Sequence, residues 1–191
     1  MKNMLASALV LMTLGASADT WVIDPSHSSV KFTTKYMMIS EVEGSFKKFD
    51  GTFTASQAEF KDLSATMTVD VGSINTDNET RDGHLKGDDF FNAEKFPTMT
   101  FKSTGIKSLG KGRLVLTGDL TIRDVTKSVE VPLVYGGTTK DPWGNTRAGF
   151  KATGTINRKE FKLSWDKKND IGEAVVADDV TFTIDASLIK K

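Results

Sequence analysis

Apolar and polar side chains alternate with period two along most of this chain. Leu63, Ala65, Met67, Val69 and Val71 are interleaved with Ser64, Thr66, Thr68 and Asp70. Leu114, Leu116, Gly118, Leu120 and Ile122 alternate with Arg113, Thr117, Asp119 and Thr121, and Val115 is the one break. Val129, Val131, Leu133 and Tyr135 continue the pattern, as do Ala148, Phe150, Ala152, Gly154 and Ile156. Val30, Phe32, Thr34 and Tyr36 open the series. Phe46, Phe49 and Phe53 follow with Gly44 and Gly51, and Met99, Phe101 and Ser103 add a further run. Val180, Phe182, Ile184, Ala186 and Leu188 close it. Successive side chains of a strand point to opposite faces. The pattern therefore predicts about eight antiparallel strands with one apolar and one polar face. Several run to roughly ten residues, or about 33 Å, longer than most globular strands. Such strands can close into a barrel that holds one small ligand. Two rivals share the pattern, a flat sandwich and a membrane barrel with its apolar face outward. The second would crowd its lumen with Lys and Asp, and aromatic girdles are missing, with tryptophan only at Trp21, Trp143 and Trp165. The expected architecture is an all-β antiparallel barrel, apolar face inward.

The inward face is rich in small residues: Thr34, Ala65, Gly118, Ala148, Ala152, Gly154 and Ala186. A solid core wants large branched side chains, so small ones predict a cavity. The expected lining is Phe32, Thr34 and Tyr36 from the first run, then Met67 and Val69, then Met99 and Phe101. Leu116, Leu120, Phe150, Ala152, Phe182 and Ile184 complete it from the later strands. Met67 and Met99 are flexible fillers. Each buried methylene contributes about 0.8 kcal/mol, so about ten of them reach the micromolar scale if little is lost to ordering. The expected partner is thus a hydrophobic small molecule.

One stretch breaks the alternation, Thr80-Arg81-Asp82-Gly83-His84-Leu85-Lys86-Gly87-Asp88-Asp89-Phe90-Phe91. Thr76 with Glu79 has the spacing of a capping box, and Gly87 is placed to stop a helix. A short helix is expected here, across one barrel end, with Leu85, Phe90, Phe91 and Phe96 toward the cavity or its rim. Arg81, Asp82 and His84 are candidates for pinning this cap or meeting a ligand head group. They also support a rival reading, an enzyme acting on a lipid or small hydrophobe through Asp82 and His84. Residues two apart are not neighbours on a helix, and no nucleophile elbow, phosphate loop or metal-spaced His pair accompanies them. His27 reads as a hydrogen-bonded loop histidine. The expectation is a binding protein without catalytic residues, metal or cofactor.

Export changes the setting. Lys2, the apolar run from Met4 to Leu14, and Ala16-Ser17-Ala18 form a signal peptide cut after Ala18. Residues 19–191 are then expected to form a single domain outside the cytoplasm. The full chain carries 25 basic and 25 acidic side chains, and scattered charge of this kind argues against nucleic acid as partner. There is no cysteine, so neither disulfides nor thiol chemistry contribute.

These residues resemble a known family. Trp21-Val22-Ile23-Asp24-Pro25-Ser26-His27-Ser28, Gly44-Ser45-Phe46-Lys47-Lys48-Phe49-Asp50-Gly51 and Arg81-Asp82-Gly83-His84-Leu85 are similar to the YceI-like proteins. Asp88-Asp89-Phe90-Phe91, Gly118-Asp119-Leu120-Thr121-Ile122 and Asn157-Arg158 continue the likeness in order. The resemblance implies a lipocalin-like barrel that binds polyisoprenoid or similar long amphiphilic chains, such as prenyl quinones. It also implies a periplasmic, often homodimeric carrier. Transient membrane contact is a further expected partner interaction.

Overall fold

The computed structural model describes residues 17–191. Most of the expected signal peptide, Met1 to Ala16, lies outside the described residues. The strands are β1 (Asp19–Ile23), β2 (Ser29–Tyr36), β3 (Ser40–Phe46), β4 (Phe49–Ala55), β5 (Ser64–Asp70) and β6 (Ile74–Asn75). They continue with β7 (Thr98–Gly110), β8 (Arg113–Ile122), β9 (Val125–Lys140), β10 (Thr146–Asn157) and β11 (Val176–Lys190). The one α-helix among the described residues is α1 (Glu79–Lys86).

Every pairing is antiparallel, and β1 pairs with β11 to close the sheet. Closure excludes the flat sandwich. The shorter strands are halves of longer staves. β1 and β2 lie end to end along β11, with Ile23 opposite Leu188 and Val30 opposite Ile184. β3 and β4 follow one another along them, and β5 and β6 along those. The wall is thus eight staves, the number that the alternation predicts. The breaks at Asp24–Ser28, Lys47–Lys48 and Val71–Ser73 fall on neighbouring staves. The backbone amide of Lys47 donates to the Ser73 carbonyl across two of them. The face is apolar inward: Leu114, Leu116 and Ile122 of β8 are buried while Arg113 and Asp119 are exposed. An outward apolar band is thereby excluded.

The helix starts later than the capping-box spacing suggests. Asp77 adopts a left-handed φ of 58°, so the chain turns before the helix begins. Asn78 then caps it, its side-chain oxygen accepting from the Arg81 amide at 2.9 Å. Thr76 stays outside and serves Asp82 instead. Gly87 ends the helix as expected, donating to the His84 carbonyl.

The two barrel ends differ. At one, the turn Ala58–Phe60 inserts Phe60 among Trp21, Tyr135 and Phe150, with ring centroids 4.9–5.4 Å apart. Leu63, Leu114, Leu133, Ala148 and Leu188 pack behind these rings, so this end is sealed. At the other, Phe91 and Met99 join Ile122, Phe161 and Leu163, beneath α1 and its following turns.

An ion network ties the chain start to a distant loop. Arg147 donates to Asp24 at 2.6 Å and to Asp141 at 2.7 Å, and the two carboxylates are only 11% and 6% exposed. Hydrogen bonding to Arg147 is the main cause that holds both carboxyls at about 2, below the ordinary 3.8. A carboxyl depressed on folding contributes stability above its unfolded pKa and loses it as pH falls through the folded one. We expect this contribution to be complete above pH 4 and to vanish between about pH 4 and pH 2. Arg147→Met should therefore raise the acid-unfolding midpoint, followed by circular dichroism. An unchanged midpoint would remove the network from the account.

Candidate functional site

The barrel encloses a cavity of about 250 Å³. It is built from the inward faces of nearly every stave. β2 contributes Phe32 and Thr34, β5 contributes Met67 and Val69, and β7 contributes Met99 and Phe101. Leu116 and Leu120 come from β8, Phe150 and Ala152 from β10, and Phe182 and Ile184 from β11. Phe90 and Phe91 reach in from the turns after α1, and Leu85 from the helix itself. Tyr36 is the exception: at the end of β2 it is 45% exposed and does not line the cavity. It has the right parity but lies where the strand runs past the barrel into the Met37–Ile39 turn.

Small inward residues do not all make room in the same way. Thr34, Ala65, Ala152 and Ala186 border the cavity, whereas Ala148 is buried in the packed sealed end. Gly44, Gly118 and Gly154 are covered by the rings of Phe32, Phe101 and Phe182, which occupy the space a Cβ would take. Each ring lies down on a neighbouring strand's glycine rather than across the lumen. Large and small residues thus pair along the wall, and the open volume is what remains at the centre.

The charged motif of the cap faces elsewhere. Asp82 is buried and accepts from the Thr76 amide at 2.9 Å and the Thr76 hydroxyl at 2.6 Å. Arg81 donates to the same hydroxyl and to the Thr76 carbonyl, both at 2.7 Å. The pair therefore pins α1 to the end of β6. His84 is half exposed, 2.9 Å from Asp89, with its ring edge-on to Phe90 and Trp165. None of Arg81, Asp82 and His84 lines the cavity. Their side chains are engaged with Thr76 and Asp89 rather than with the cavity.

Two arginines hold this end together, and neither is signalled by periodicity. Arg123 donates through one nitrogen to the carbonyls of Asp88, Phe90 and Lys162, at 2.9–3.1 Å. It fastens the segment that carries Phe90 and Phe91. Arg158 is buried at 3% exposure and borders the cavity. Burial is the main cause that lowers its pKa. Several other lining residues, among them Phe46, Val129, Val131 and Val180, stand in alternating runs and were legible there. Leu163 and Val176 lie at the edges of an irregular segment and were not.

Comparison with known proteins agrees with this architecture. A model of the YceI-like domain matches residues 21–188. The chain belongs to the YceI-like family. It is 38% identical over 172 residues to a UPF0312 protein of Ectopseudomonas mendocina, covering 85% of this chain and 90% of that one. The YceI-like barrel also superposes on BcnA of Burkholderia cenocepacia with a TM-score of 0.75 at 27% identity, over 86% of this chain and 98% of BcnA. A polyisoprenoid binding domain from Saccharophagus degradans has the same fold, with a TM-score of 0.65 at 15% identity over 90% and 98% of the two chains.

Proposed function

We propose that this YceI-like protein is a periplasmic carrier of a polyisoprenoid, such as a prenyl quinone, or of a similar long-chain amphiphile. The single observation that carries this reading is the apolar cavity. Of the residues lining it, only Lys31, Thr34, Thr100 and Arg158 bear polar side-chain groups. A smaller cavity of about 150 Å³ lined by Leu, Ile and Phe stays dry and takes up benzene, so a larger one of this character favours an apolar guest. Its lining follows β11 from Val176 to Ala186, about 33 Å of strand, which suits an elongated tail. The neighbour that is named as a polyisoprenoid binding domain supports the choice of ligand class through its shared fold. The role requires no catalytic group, and the expected leader is consistent with export from the cytoplasm. Loading would proceed by transient contact with a membrane.

The test is to purify the protein, extract it with organic solvent and weigh the extract by mass spectrometry. A prenyl lipid in near-stoichiometric amount is expected. A protein that purifies empty, and that stays empty when offered a prenyl quinone, would overturn the assignment.

A further inference from the structure

The cavity has a direction. Its Phe60 end is closed by aromatic rings, and the cavity-lining residues there, Ile23, Leu63, Leu133 and Phe150, are apolar. At its other end stands Arg158, a buried cation on the lining. A guanidinium carries five N–H donors and stays protonated in proteins. In Arg158, Nε donates to the Ala177 carbonyl at 2.9 Å and Nη1 to the Leu163 carbonyl at 2.6 Å. Nη2 donates to the Val176 carbonyl at 3.2 Å and to Asp178 at 3.3 Å. Four donors are thus engaged, and one N–H on Nη1 has no protein acceptor among the described residues. A buried charged donor gains from an acceptor, and the cavity is the space in which a ligand can bring one.

The local charge is already balanced. Asp178 lies 3.3 Å from Arg158, and Lys159 bridges Asp178 and Asp166 at 3.0 and 3.2 Å. Two cations face two carboxylates. An anionic head would add an uncompensated charge beside the buried Arg158 side chain, whereas a neutral carbonyl oxygen would not. We infer that Arg158 is the polar anchor of the ligand site. It donates one hydrogen bond to an uncharged carbonyl head (a quinone, amide or ester), while the tail points toward Phe60. The inference rests on the carrier reading and specifies its ligand chemistry.

The experiment compares heads on one tail. Octadecanamide, octadecanoate and octadecane are used to displace a fluorescent apolar dye from the unaltered protein and from Arg158→Met and Arg158→Lys. The amide should outcompete both others. The ratio of amide to alkane affinity should fall at least tenfold in Arg158→Met and recover in part in Arg158→Lys. Arg158 also holds the backbone at Leu163, Val176 and Ala177, so the methionine variant could fail to fold. Infrared spectroscopy of carbonyl-labelled octadecanamide in the unaltered protein supplies the second readout, a carbonyl stretch moved to lower frequency than in hydrocarbon solvent. Amide and alkane binding alike in both proteins, or a carbonyl stretch unmoved on binding, would overturn the Arg158 contact and leave the carrier intact. Octadecanoate binding more tightly than the amide would overturn the neutral head. A barrel from which none of the three displaces dye would overturn the carrier reading itself.

Discussion

Replacing Ala152 by phenylalanine is expected to leave the barrel folded and empty of ligand. Ala152 sits on β10 opposite Leu133 of β9 and Ile184 of β11, and it borders the cavity together with both. A ring added there has no glycine partner to lie on, unlike Phe32, Phe101 and Phe182. It must project into the lumen. Overfilling a packed core costs about 1–3 kcal/mol, and the lumen offers space that lowers the cost. A domain of ordinary stability, about 5–15 kcal/mol, survives this. Binding does not. Each ligand methylene displaced forfeits about 0.8 kcal/mol, so losing four weakens binding by ~3 kcal/mol, on the order of a hundredfold. Thr153→Phe is the control, because the neighbouring side chain is exposed. Lipid recovered per mole of protein and titration with a prenyl quinone give the readout, with far-ultraviolet circular dichroism reporting the fold. A variant that keeps its ligand would show that the guest lies outside the barrel.

Phe161→Ala should produce the largest loss of stability. Phe161 is 1% exposed and packs with Ile122 and Leu163, against Phe91, Met99, Leu120, Val125 and Ile156. The short turn Arg158–Phe161 delivers it, capped by the Asn157 side chain accepting from the Lys159 amide at 3.0 Å. Removing a buried phenyl ring costs about 3–5 kcal/mol through lost transfer energy and the void left behind. At about 2–4 °C per kcal/mol for a chain of this size, Tm should fall by roughly 6–20 °C. The void would also adjoin the ligand space, since Phe91, Met99, Leu120, Ile122, Ile156 and Leu163 line the cavity too. Ligand bound only to the folded state stabilises it. A prenyl quinone should therefore raise Tm in the variant as well as in the parent. Calorimetry with and without quinone checks both statements. A fall of less than about 2 °C would mean that the turn repacks and that Phe161 does not hold this end closed.

Much of the barrel could be read directly. On β8, β10 and β11 the alternation marks the inward side chains correctly, because period-two geometry is a local property of extended backbone. The same rule placed Tyr36 inside, since it reports which face a residue shares and not where the wall ends. Gly118 and Gly154 counted as empty space for a related reason. Cross-strand register decides what lies over a glycine, and Phe101 and Phe182 lie over these. Arg81, Asp82 and His84 drew attention as a cluster of chemistry-bearing residues. Their partners proved to be Thr76 and Asp89.

By itself, then, the amino-acid order determined an all-β chain of eight staves, an apolar interior and a short helix stopped by Gly87. These follow from side-chain size, polarity and spacing within a dozen residues. Only the tertiary structure decided that the centre stays open, that one end is sealed around Phe60 and that Arg158 stands at the other. Arg158 meets backbone carbonyls at Leu163, Val176 and Ala177. Every residue carries such a carbonyl, so no side-chain pattern along the chain announces the meeting, and folding alone brings the donors and acceptors together.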